Sequence, residues 1–478
     1  MSTQHEDQID ATPQSIQFLD EKAKTVVLLL MLSGVFWLLF GSVLAIMASV
    51  KMHAPEFLGQ WSFLTFGRVR PLHLNTMVYG WASMTGAGVA LWLLSRILRI
   101  AVPMRPYIVA VTAIWNIALL IGSVEILAGN SRGIEWLEFP VYVMVTIVWC
   151  IVVIGIAGML MLFNRNVETL YVSIWYLIAA FLWFPLLGAV SSLPIFDTPT
   201  VQAGMNWWFA HNALGLWFTP IGLAAAYYFI PKVVGRPIHS YGLSLLGFWG
   251  LALFYNWNGF HHLIGSPLPT WFVTISVAAS VMMIIPVVVV AVNHHLTIVG
   301  SFSALKYSPT LRFIVFGAMS YTFVSLQGSI QALRSANEVI HFTHFVIAHA
   351  HIGMYAFVTM VLFGSCYYIV PRLTNWEWQS HRLVRWHFWL AAIGILLYTV
   401  PLQIGGILQG LSMNNPDASF TDSTILTIPY LIARSVAGVL LTASHLIFAY
   451  LMVRIVAKVG LRPAAPMKWE GRPAMKQA

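Results

Sequence analysis

The chain has 478 residues, of which 59% are hydrophobic and only 9% are charged, and its formal net charge is +9. A soluble protein carries about a quarter charged residues, so this composition excludes a water-soluble fold. The Lys and Arg residues stand singly between apolar runs and form no basic patch, which argues against a nucleic-acid-binding protein. Cys150 and Cys366 lie far apart within apolar runs, so neither a disulfide framework nor a thiolate metal pair is expected.

Apolar runs follow one another along the whole chain, and each reaches the roughly 20 residues that a helix needs to cross a bilayer. Open sheet edges would leave backbone groups unpaired in lipid, so these runs predict an all-α, polytopic membrane protein of about twelve transmembrane helices. The predicted spans are 25–50, 72–98, 106–129, 139–163, 170–195, 203–231, 240–265, 268–293, 310–332, 338–371, 385–410 and 427–457.

The distribution of Lys and Arg predicts the orientation of this bundle, because connections that face the cytoplasm are richer in these residues. Most of them fall on one side when the N-terminus is placed inside, so both termini are predicted to be cytoplasmic. We expect residues 1–24 to form a cytoplasmic segment without a removable signal peptide, 25–458 a twelve-helix membrane domain, and 459–478 a basic cytoplasmic tail. No internal repeat favours an inverted-repeat transporter.

Histidines recur inside four of the predicted spans, where an ionisable side chain is costly unless it is paired or binds a metal. A single one is often a helix–helix hydrogen-bonding residue. Adjacent and alternate histidines in several spans are hard to explain by packing, so metal ligation is favoured. The histidines of these four spans are His73, His211, His261, His262, His341, His344, His349 and His351.

His349 and His351 are two residues apart, so they project about 200° apart on a helix and can serve two separate centres. Neutral imidazole suits iron, copper or zinc better than hard cations. A wide cofactor on each side of this span would explain the Gly-rich and aromatic surroundings, and haem is the natural candidate. His73 would then be the second axial ligand of one of the two haems.

His261 and His262 are adjacent, which separates them by about 100° on a regular helix. Both can bind one metal only when the helix end is distorted, and the nearby Gly259 permits such a distortion. His211 would complete a set of three imidazoles that leaves an open coordination position, as reactive metal sites require. Tyr255 lies two helical turns before His262, on the same face, where a phenol could supply a proton and an electron.

At these residues the chain resembles the catalytic subunit, subunit I, of cbb3-type cytochrome c oxidases, within the haem-copper oxidase superfamily. The resemblance covers nearly the whole chain. Its motifs are Arg70-Pro71-Leu72-His73, Asn206-Trp207-Trp208-Phe209-Ala210-His211-Asn212, Tyr255-Asn256-Trp257-Asn258-Gly259-Phe260-His261-His262 and the His349/His351 pair.

This resemblance implies ligand sets for two haems and one copper ion. His73 and His351 would be the axial ligands of a low-spin haem b, and His349 the proximal ligand of a high-spin haem b3. The copper ion, CuB, would be held by His211, His261 and His262. Tyr255 would be the phenol that the family links covalently to the histidine matching His211.

The resemblance also implies supporting residues around these centres. A single proton path from the cytoplasm would run through Thr219, Tyr227, Ser244, Tyr255 and Tyr321, although Thr219 and Ser244 taken singly are better explained as ordinary helix–helix hydrogen bonders. His341 and Arg434 would contact the haem propionates. Glu135 and Glu138 could help to hold a calcium ion, or they could be ordinary solvated loop carboxylates.

Two positions depart from the family pattern. Gln327 stands where a glutamate near the proximal haem ligand is usual, and His344 stands where an aspartate is usual, so this chain is a divergent member. Losing a carboxylate beside an imidazole ligand is expected to weaken its donation to iron and to raise the haem potential.

The implied activity is the reduction of O2 to water in the respiratory chain of a bacterial inner membrane, with proton uptake or translocation across that membrane. With only two cysteines, the chain has no Cys-x-x-Cys-His motif for haem c attachment. Electrons are therefore expected from membrane-anchored cytochrome c subunits of the same complex.

Two other functions stay open at this point. A nitric oxide reductase of the same superfamily uses non-haem iron, lacks the phenol equivalent to Tyr255 and places carboxylates near that iron; the sixth and seventh predicted spans contain no Asp or Glu. A cofactor-free transporter with proton-relaying histidines would be colourless when purified, whereas an oxidase shows b-type haem absorption that shifts with CO.

Overall fold

The computed structural model describes residues 13–193 and 198–458 of the chain. Every element in these two ranges is helical, which confirms the predicted all-α class. The first helix begins at Pro13, so part of the segment predicted as 1–24 is already helical. Residues 1–12 of that segment and the predicted tail at 459–478 lie outside the described residues, and the proposed division of the chain stays a prediction.

Within the described ranges, twelve long helical segments make up the bundle and correspond to the twelve predicted apolar runs. They are α1 Pro13–Lys51, α2 Phe66–Leu98, α3 Arg105–Ala128, α4 Val141–Phe163, α5 Val172–Ser191, α6 Pro199–Val234, α7 Tyr241–Phe254, α8 Thr270–Ile298, α9 Pro309–Gln331, α10 His344–Thr374, α11 His381–Met413 and α12 Phe420–Ala457. Shorter helices connect some of them, at Ser62–Leu64, Phe302–Lys306 and Arg334–Ile340.

Eleven of the segments in the described ranges are long and apolar enough to cross a membrane. The exception is α7, whose α-helical part has 14 residues. It continues directly as a 3-10 helix over Tyr255–Leu263. At about 1.5 Å per α-helical residue and 2.0 Å per 3-10 residue, the two parts together rise about 39 Å, which is enough to span a bilayer.

The spans that carry the predicted histidine ligands lose regular α-helical geometry near those histidines. Each of three π-helical segments begins within three residues after His73, His211 or His351. These segments are Thr76–Ala82, Leu214–Phe218 and Ile352–Thr359. Since π-helical turns are rare and occur frequently at functional sites, these three segments, together with the 3-10 end of α7, mark the same four spans as the histidine pattern does.

The start of the tenth span differs from the prediction. Hydropathy predicts one span over 338–371, but the chain breaks at His341–Thr343, where Phe342 has a φ of 62°. The helix α10 begins only at His344, and the Thr343 side chain caps it by accepting a hydrogen bond from the Phe345 N–H. His341 therefore lies in a connection beside the bundle end, and His344 is the first residue of α10.

The helices pack so that the histidine-bearing spans face one another. The α11 and α12 helices form an extensive antiparallel pair, α1 packs against α2 and α12, and the 3-10 end of α7 packs against α6 and α8. Large aromatic side chains fill the interior between them, including the fully buried Trp81, Trp92, Trp115 and Trp217. Apolar side chains also cover much of the outer surface, as expected where lipid replaces water.

Candidate metal and haem centres

Three imidazoles converge where α6 meets the 3-10 end of α7. One ring nitrogen from each of His211, His261 and His262 lies within 4.8 Å of the other two, close enough for the three to hold one metal ion. Their ring centroids are 4.9 Å (His211–His261), 5.4 Å (His211–His262) and 4.5 Å (His261–His262) apart. The Nδ1 atom of His211 is buried without a hydrogen-bond partner. Three neutral imidazoles with a free ring nitrogen fit a copper ion or a similar transition metal.

The backbone of α7 allows two adjacent histidines to share this point. The 3-10 conformation of Tyr255–Leu263 replaces the regular helix on which the two rings would diverge. Gly259 permits the close approach of this segment to α6, because a Cβ atom there would lie 2.4 Å from the carbonyl oxygen of Trp207. A side chain at position 259 would therefore push the segment that carries His261 and His262 away from His211.

Two further residues hold these rings: Ser280, which carried no signal in the sequence, and Trp207, which belongs to the motif around His211. The Ser280 hydroxyl donates to the Ser276 carbonyl at 2.7 Å, so it accepts a hydrogen bond from Nδ1–H of His261 at 2.8 Å. This arrangement leaves Nε2 of His261 as the ring's acceptor nitrogen, which is the form that binds a metal. The ring of His262 stacks on Trp207 with centroids 4.1 Å apart and an interplanar angle of 10°.

Tyr255 lies directly against His211. Their ring centroids are 4.7 Å apart and their planes are inclined by 27°. Gly215 makes room for the phenol, because a Cβ atom there would lie 1.8 Å from the Tyr255 ring. The phenol ring is thus fixed beside the three imidazoles by the packing of α6 and α7.

Gly215→Ala is expected to displace Tyr255 and to lower activity at least tenfold, because the added methyl group overlaps the phenol ring. Turnover measured on the purified complex tests this, with metal content measured beside it. Gly67→Ala is the matched control, since a Cβ atom at Gly67 meets no atom within 4 Å. Equal turnover in the two variants would show that the position of the phenol does not limit the reaction.

His349 and His351 contact different helices from the two sides of α10. Nδ1 of His349 lies 3.0 Å from Oε1 of Gln327 on α9, so the imidazole donates and its Nε2 is left as an acceptor. Nδ1 of His351 lies 2.8 Å from the Ile347 carbonyl, and its Nε2 lies 3.2 Å from the hydroxyl of Tyr398 on α11. The two rings can therefore serve separate centres, as their spacing predicts.

His73 on α2 is oriented in the same way as the rings of α10. Its Nδ1 lies 2.9 Å from the carbonyl oxygen of Gly41 on α1, so Nδ1–H donates this hydrogen bond and Nε2 is left as an acceptor. His73, His349 and His351 keep a partly accessible surface although they lie deep in the bundle. Side chains with these properties line an internal space, as a haem site requires. Iron binding at Nε2 of His351 would displace the Tyr398 hydroxyl.

Arg434 and His341 lie at one end of this region. Arg434 is only 8% exposed, its guanidinium lies 5.5 Å from the centre of the Tyr398 ring, and its Nε is buried without a partner. A buried cation of this kind needs an anionic or accepting group. His341 stacks on Phe342 with ring centroids 3.9 Å apart, and burial lowers its pKa, an effect that a hydrogen bond donated by the imidazole to the backbone of His262 opposes.

The two glutamates predicted near an outer-side span differ in environment. Glu135 pairs with Arg70. Glu138 is buried rather than solvated, its Oε2 accepts a hydrogen bond from Asn75 at 2.8 Å, and its Oε1 has no partner. Burial raises the pKa of Glu138 to about 7, although the hydrogen bond from Asn75 opposes the rise. A cation would stabilise this carboxylate, and calcium as its occupant stays a prediction.

The residues of the predicted proton path lie on three helices. Thr219 and Tyr227 are on α6, Ser244 is on α7, Tyr255 begins the 3-10 continuation of α7, and Tyr321 is on α9. Tyr227 and Tyr321 are buried, and the Ser244 hydroxyl donates to the Tyr241 carbonyl at 2.6 Å. His294 of α8 was not predicted, and its ring lies 4.3 Å from that of Tyr227. The path itself stays a prediction.

Comparison with known proteins assigns the chain to a family. The family model described as Cytochrome C and Quinol oxidase polypeptide I matches residues 25–440. The chain belongs to this family. The match confirms the predicted membership of the haem-copper oxidases and the predicted class of enzyme, an oxidoreductase of the respiratory chain that crosses the membrane several times.

Relatives within the family include cbb3-type proteins. Cytochrome c oxidase subunit 1 of Rhodobacter capsulatus is 30% identical over 478 residues, covering 94% of this chain and 88% of the relative. The Cbb3-type cytochrome c oxidase subunit CcoN1 of Stutzerimonas stutzeri is 30% identical over 436 residues, covering 87% of this chain and 91% of the relative. The resemblance to cbb3-type catalytic subunits is thereby confirmed.

A solved structure shares the fold of this oxidase subunit. A heme-copper terminal oxidase dimer, determined by cryo-EM, matches with a TM-score of 0.71 and 16% sequence identity, and the match covers 95% of this chain and 86% of that chain. At this identity the similarity concerns the architecture of the helical bundle. It agrees with the helix order and with the eleven membrane-crossing segments among the described residues.

Proposed function

We propose that this chain is the catalytic subunit of a cbb3-type terminal oxidase that reduces O2 to water at a haem b3–CuB centre. The single observation that carries the proposal is the convergence of His211, His261 and His262 with Tyr255 stacked on the first of them. Three imidazoles leave a coordination position open, and the adjacent phenol supplies the extra proton and electron that cleavage of the O–O bond needs.

The remaining histidines would hold the haems. His349, oriented by Gln327, would be the proximal ligand of haem b3, and His73 and His351, oriented by backbone carbonyls, would hold the low-spin haem b. When bound, these groups supply the one-electron carriers and the O2-binding position. Arg434 and His341 would bind the propionates, since the buried guanidinium needs an acceptor that the described residues do not give to its Nε.

Proton supply would depend on hydroxyl groups of three helices. We propose uptake from the cytoplasm through Thr219, Ser244, Tyr227 and Tyr321 to Tyr255, because hydroxyl side chains joined by waters can relay protons through an otherwise apolar bundle. With both termini in the cytoplasm of a bacterium, the electrons and protons of each turnover would reach the site from opposite sides of the inner membrane, so charge crosses the membrane during turnover.

Partner subunits would deliver the electrons. The chain has two cysteines, Cys150 and Cys366, both buried and both unpaired, so it can attach no haem c of its own. Membrane-anchored cytochrome c subunits of the same complex are the proposed donors. A calcium ion between Glu138 and Glu135 is proposed as a structural cofactor, because a cation would neutralise the buried carboxylate.

The deciding experiment is a reduced-minus-oxidised spectrum of the purified complex, recorded with and without CO, together with its copper content. We expect two b-type haems, one of which binds CO, and one copper ion per chain. Side-by-side assays of O2 and NO consumption separate this function from nitric oxide reduction. Iron in place of copper with faster NO consumption would overturn the proposal, and a colourless protein would indicate a transporter instead.

Gln327→Glu is expected to lower the affinity of the high-spin haem for an electron by on the order of tenfold, because a carboxylate makes the imidazole of His349 a stronger donor than a neutral amide does. A redox titration that follows the CO-binding haem measures this affinity. The control is Gln60→Glu, a change of the same kind at an exposed position in the connection between α1 and α2. An unchanged affinity in Gln327→Glu would show that this hydrogen bond does not tune the haem.

A further inference from the structure

Two buried histidines outside the proposed metal centres lie where α1, α10, α11 and α12 meet. His387 on α11 is fully buried, and His445 on α12 is 3% exposed. Each is bonded to a tyrosine of α10: Nδ1 of His387 lies 2.7 Å from the Tyr367 hydroxyl, and Nε2 of His445 lies 2.9 Å from the Tyr355 hydroxyl. Ionisable groups are costly at such depth in a membrane protein, which indicates a function for them.

The hydrogen bonds of His445 fix its protonation form. Its Nδ1 lies 2.7 Å from the hydroxyl of Ser42 on α1, and that hydroxyl donates its own proton to the Leu38 carbonyl at 2.6 Å. Ser42 therefore accepts from Nδ1–H, and Nε2 of the neutral ring accepts from Tyr355. A second proton can bind at Nε2 without loss of this contact, because the phenol oxygen can turn from donor to acceptor.

His445 is joined through short links to both helices that carry the proposed low-spin haem ligands. Ser42 follows Gly41, whose carbonyl oxygen lies 2.9 Å from Nδ1 of His73. Tyr355 lies one helical turn after His351 on α10. The His445 ring is thus connected by short chains of contacts to both proposed ligands, within a poorly solvated interior where electrostatic coupling is strong.

We propose that His445, held between Ser42 and Tyr355, binds one proton when the low-spin haem gains one electron. This inference rests on the proposed function, namely on haem ligation by His73 and His351. A bound haem would take up the electron, and a proton from cytoplasmic water would add to Nε2 of His445. The added positive charge offsets the added negative charge, and the proton leaves when the haem is oxidised again. By thermodynamic linkage each event favours the other.

Among the titratable groups in this part of the bundle, the imidazole of His445 is the proposed site of proton binding. The titratable neighbours on the packed helices are Tyr355 and the Tyr367–His387 pair, and the ring of Phe363 lies between the two histidines, 6.0 Å from His445 and 4.5 Å from His387. On α12 itself, Arg434 and Arg454 lie eleven and nine residues away, about 16 Å and 13 Å along the axis.

His387 lies on the side of the bundle from which the proton would reach His445. It lies six residues after the start of α11, about 9 Å from that end of the helix. Its Nε2 is buried without a hydrogen-bond partner, so this nitrogen is available to a proton that arrives from the connection between α10 and α11. The Tyr367–His387 pair thus lies between His445 and the side of the bundle predicted to be cytoplasmic.

The test is the pH dependence of the electron affinity of the low-spin haem, measured by redox titration of the purified complex. Uptake of one proton per electron lowers this affinity by up to tenfold for each unit of rising pH. In His445→Gln the amide can still donate to Ser42 and accept from Tyr355 but cannot bind a proton. In this variant we expect the logarithm of the electron affinity to change, per unit of pH, by no more than half of the wild-type value.

His295→Gln is the matched control. This half-buried histidine of α8 bonds to Thr322 and lies outside the proposed centres, so the wild-type pH dependence is expected to persist. Redox-induced infrared difference spectra give a second readout: a band of protonated imidazole should form on reduction in the wild type and in His295→Gln, and should be missing in His445→Gln.

Tyr355→Phe keeps the test decisive if His445→Gln fails to assemble. Without the phenol, protonated Nε2 loses its acceptor, so the pH-dependent range should move to lower pH. An intact low-spin spectrum with wild-type pH dependence in both variants overturns this inference alone. A wild-type complex without any low-spin haem spectrum would overturn the proposed function instead.

Discussion

His349→Ala is expected to abolish CO binding to the reduced complex while the low-spin haem spectrum stays largely intact. The two histidines of α10 face different neighbours, Gln327 for His349 and Tyr398 for His351. Removing the imidazole at 349 therefore takes the ligand from one proposed haem only. The CO difference spectrum of the reduced variant should fall below about a tenth of the wild-type amplitude, because the proximal ligand holds the CO-binding iron.

His351→Ala is the reciprocal control for this experiment. It is expected to remove the low-spin signal, because His73 would be left as the single axial ligand of that haem. Loss of the low-spin signal in His349→Ala, with CO binding preserved, would reverse the assignment of the two residues. Loss of both haems in each variant would indicate that the histidines support the bundle rather than two separate centres.

Much of the fold follows from the sequence because the bilayer permits few structures. Every apolar run of about 20 residues must pair its backbone groups within itself, so length and hydropathy identify helices reliably. Two boundaries show what this rule leaves out. It does not foresee the 3-10 conformation of Tyr255–Leu263 or the break at His341–Thr343, because both depend on contacts with other helices and not on the apolar content of the segment.

For the candidate site, the sequence predicted how the histidines are directed but not which residues hold them. Spacing alone indicated that His349 and His351 would face apart and that His261 and His262 would need a distorted backbone, and the structure shows both. The groups that orient these rings gave no local signal. Ser280 lies 19 residues from His261, and the two meet only because α8 packs on the end of α7.

His445 and His387 were not among the site residues predicted from the sequence. Each stands alone in its span, and an isolated buried histidine is most simply explained as a hydrogen-bonding residue. Only the three-dimensional arrangement joins His445 to Ser42 on α1 and to Tyr355 on α10, at a distance of 403 and 90 residues along the chain. Coupling between helices of this kind cannot be read from a single span.

Tyr255→Phe is expected to lower O2 consumption by about a hundredfold to ten-thousandfold, which is the usual contribution of a positioned proton donor. The phenyl ring still fills the space opposite Gly215 and still stacks on His211, so copper content and CO binding should stay at wild-type levels. Turnover and the CO spectrum measured on one preparation separate the loss of the hydroxyl from the loss of the metal site.

Tyr241→Phe supplies the matched control, since this exposed tyrosine at the start of the same helix donates only to the Leu170 carbonyl. It should keep near wild-type turnover. Wild-type O2 consumption in Tyr255→Phe would mean that the phenol beside His211 supplies neither proton nor electron. The convergence of three imidazoles would then fit metal binding without the oxidase chemistry, and NO reduction at a non-haem metal would become the function to test.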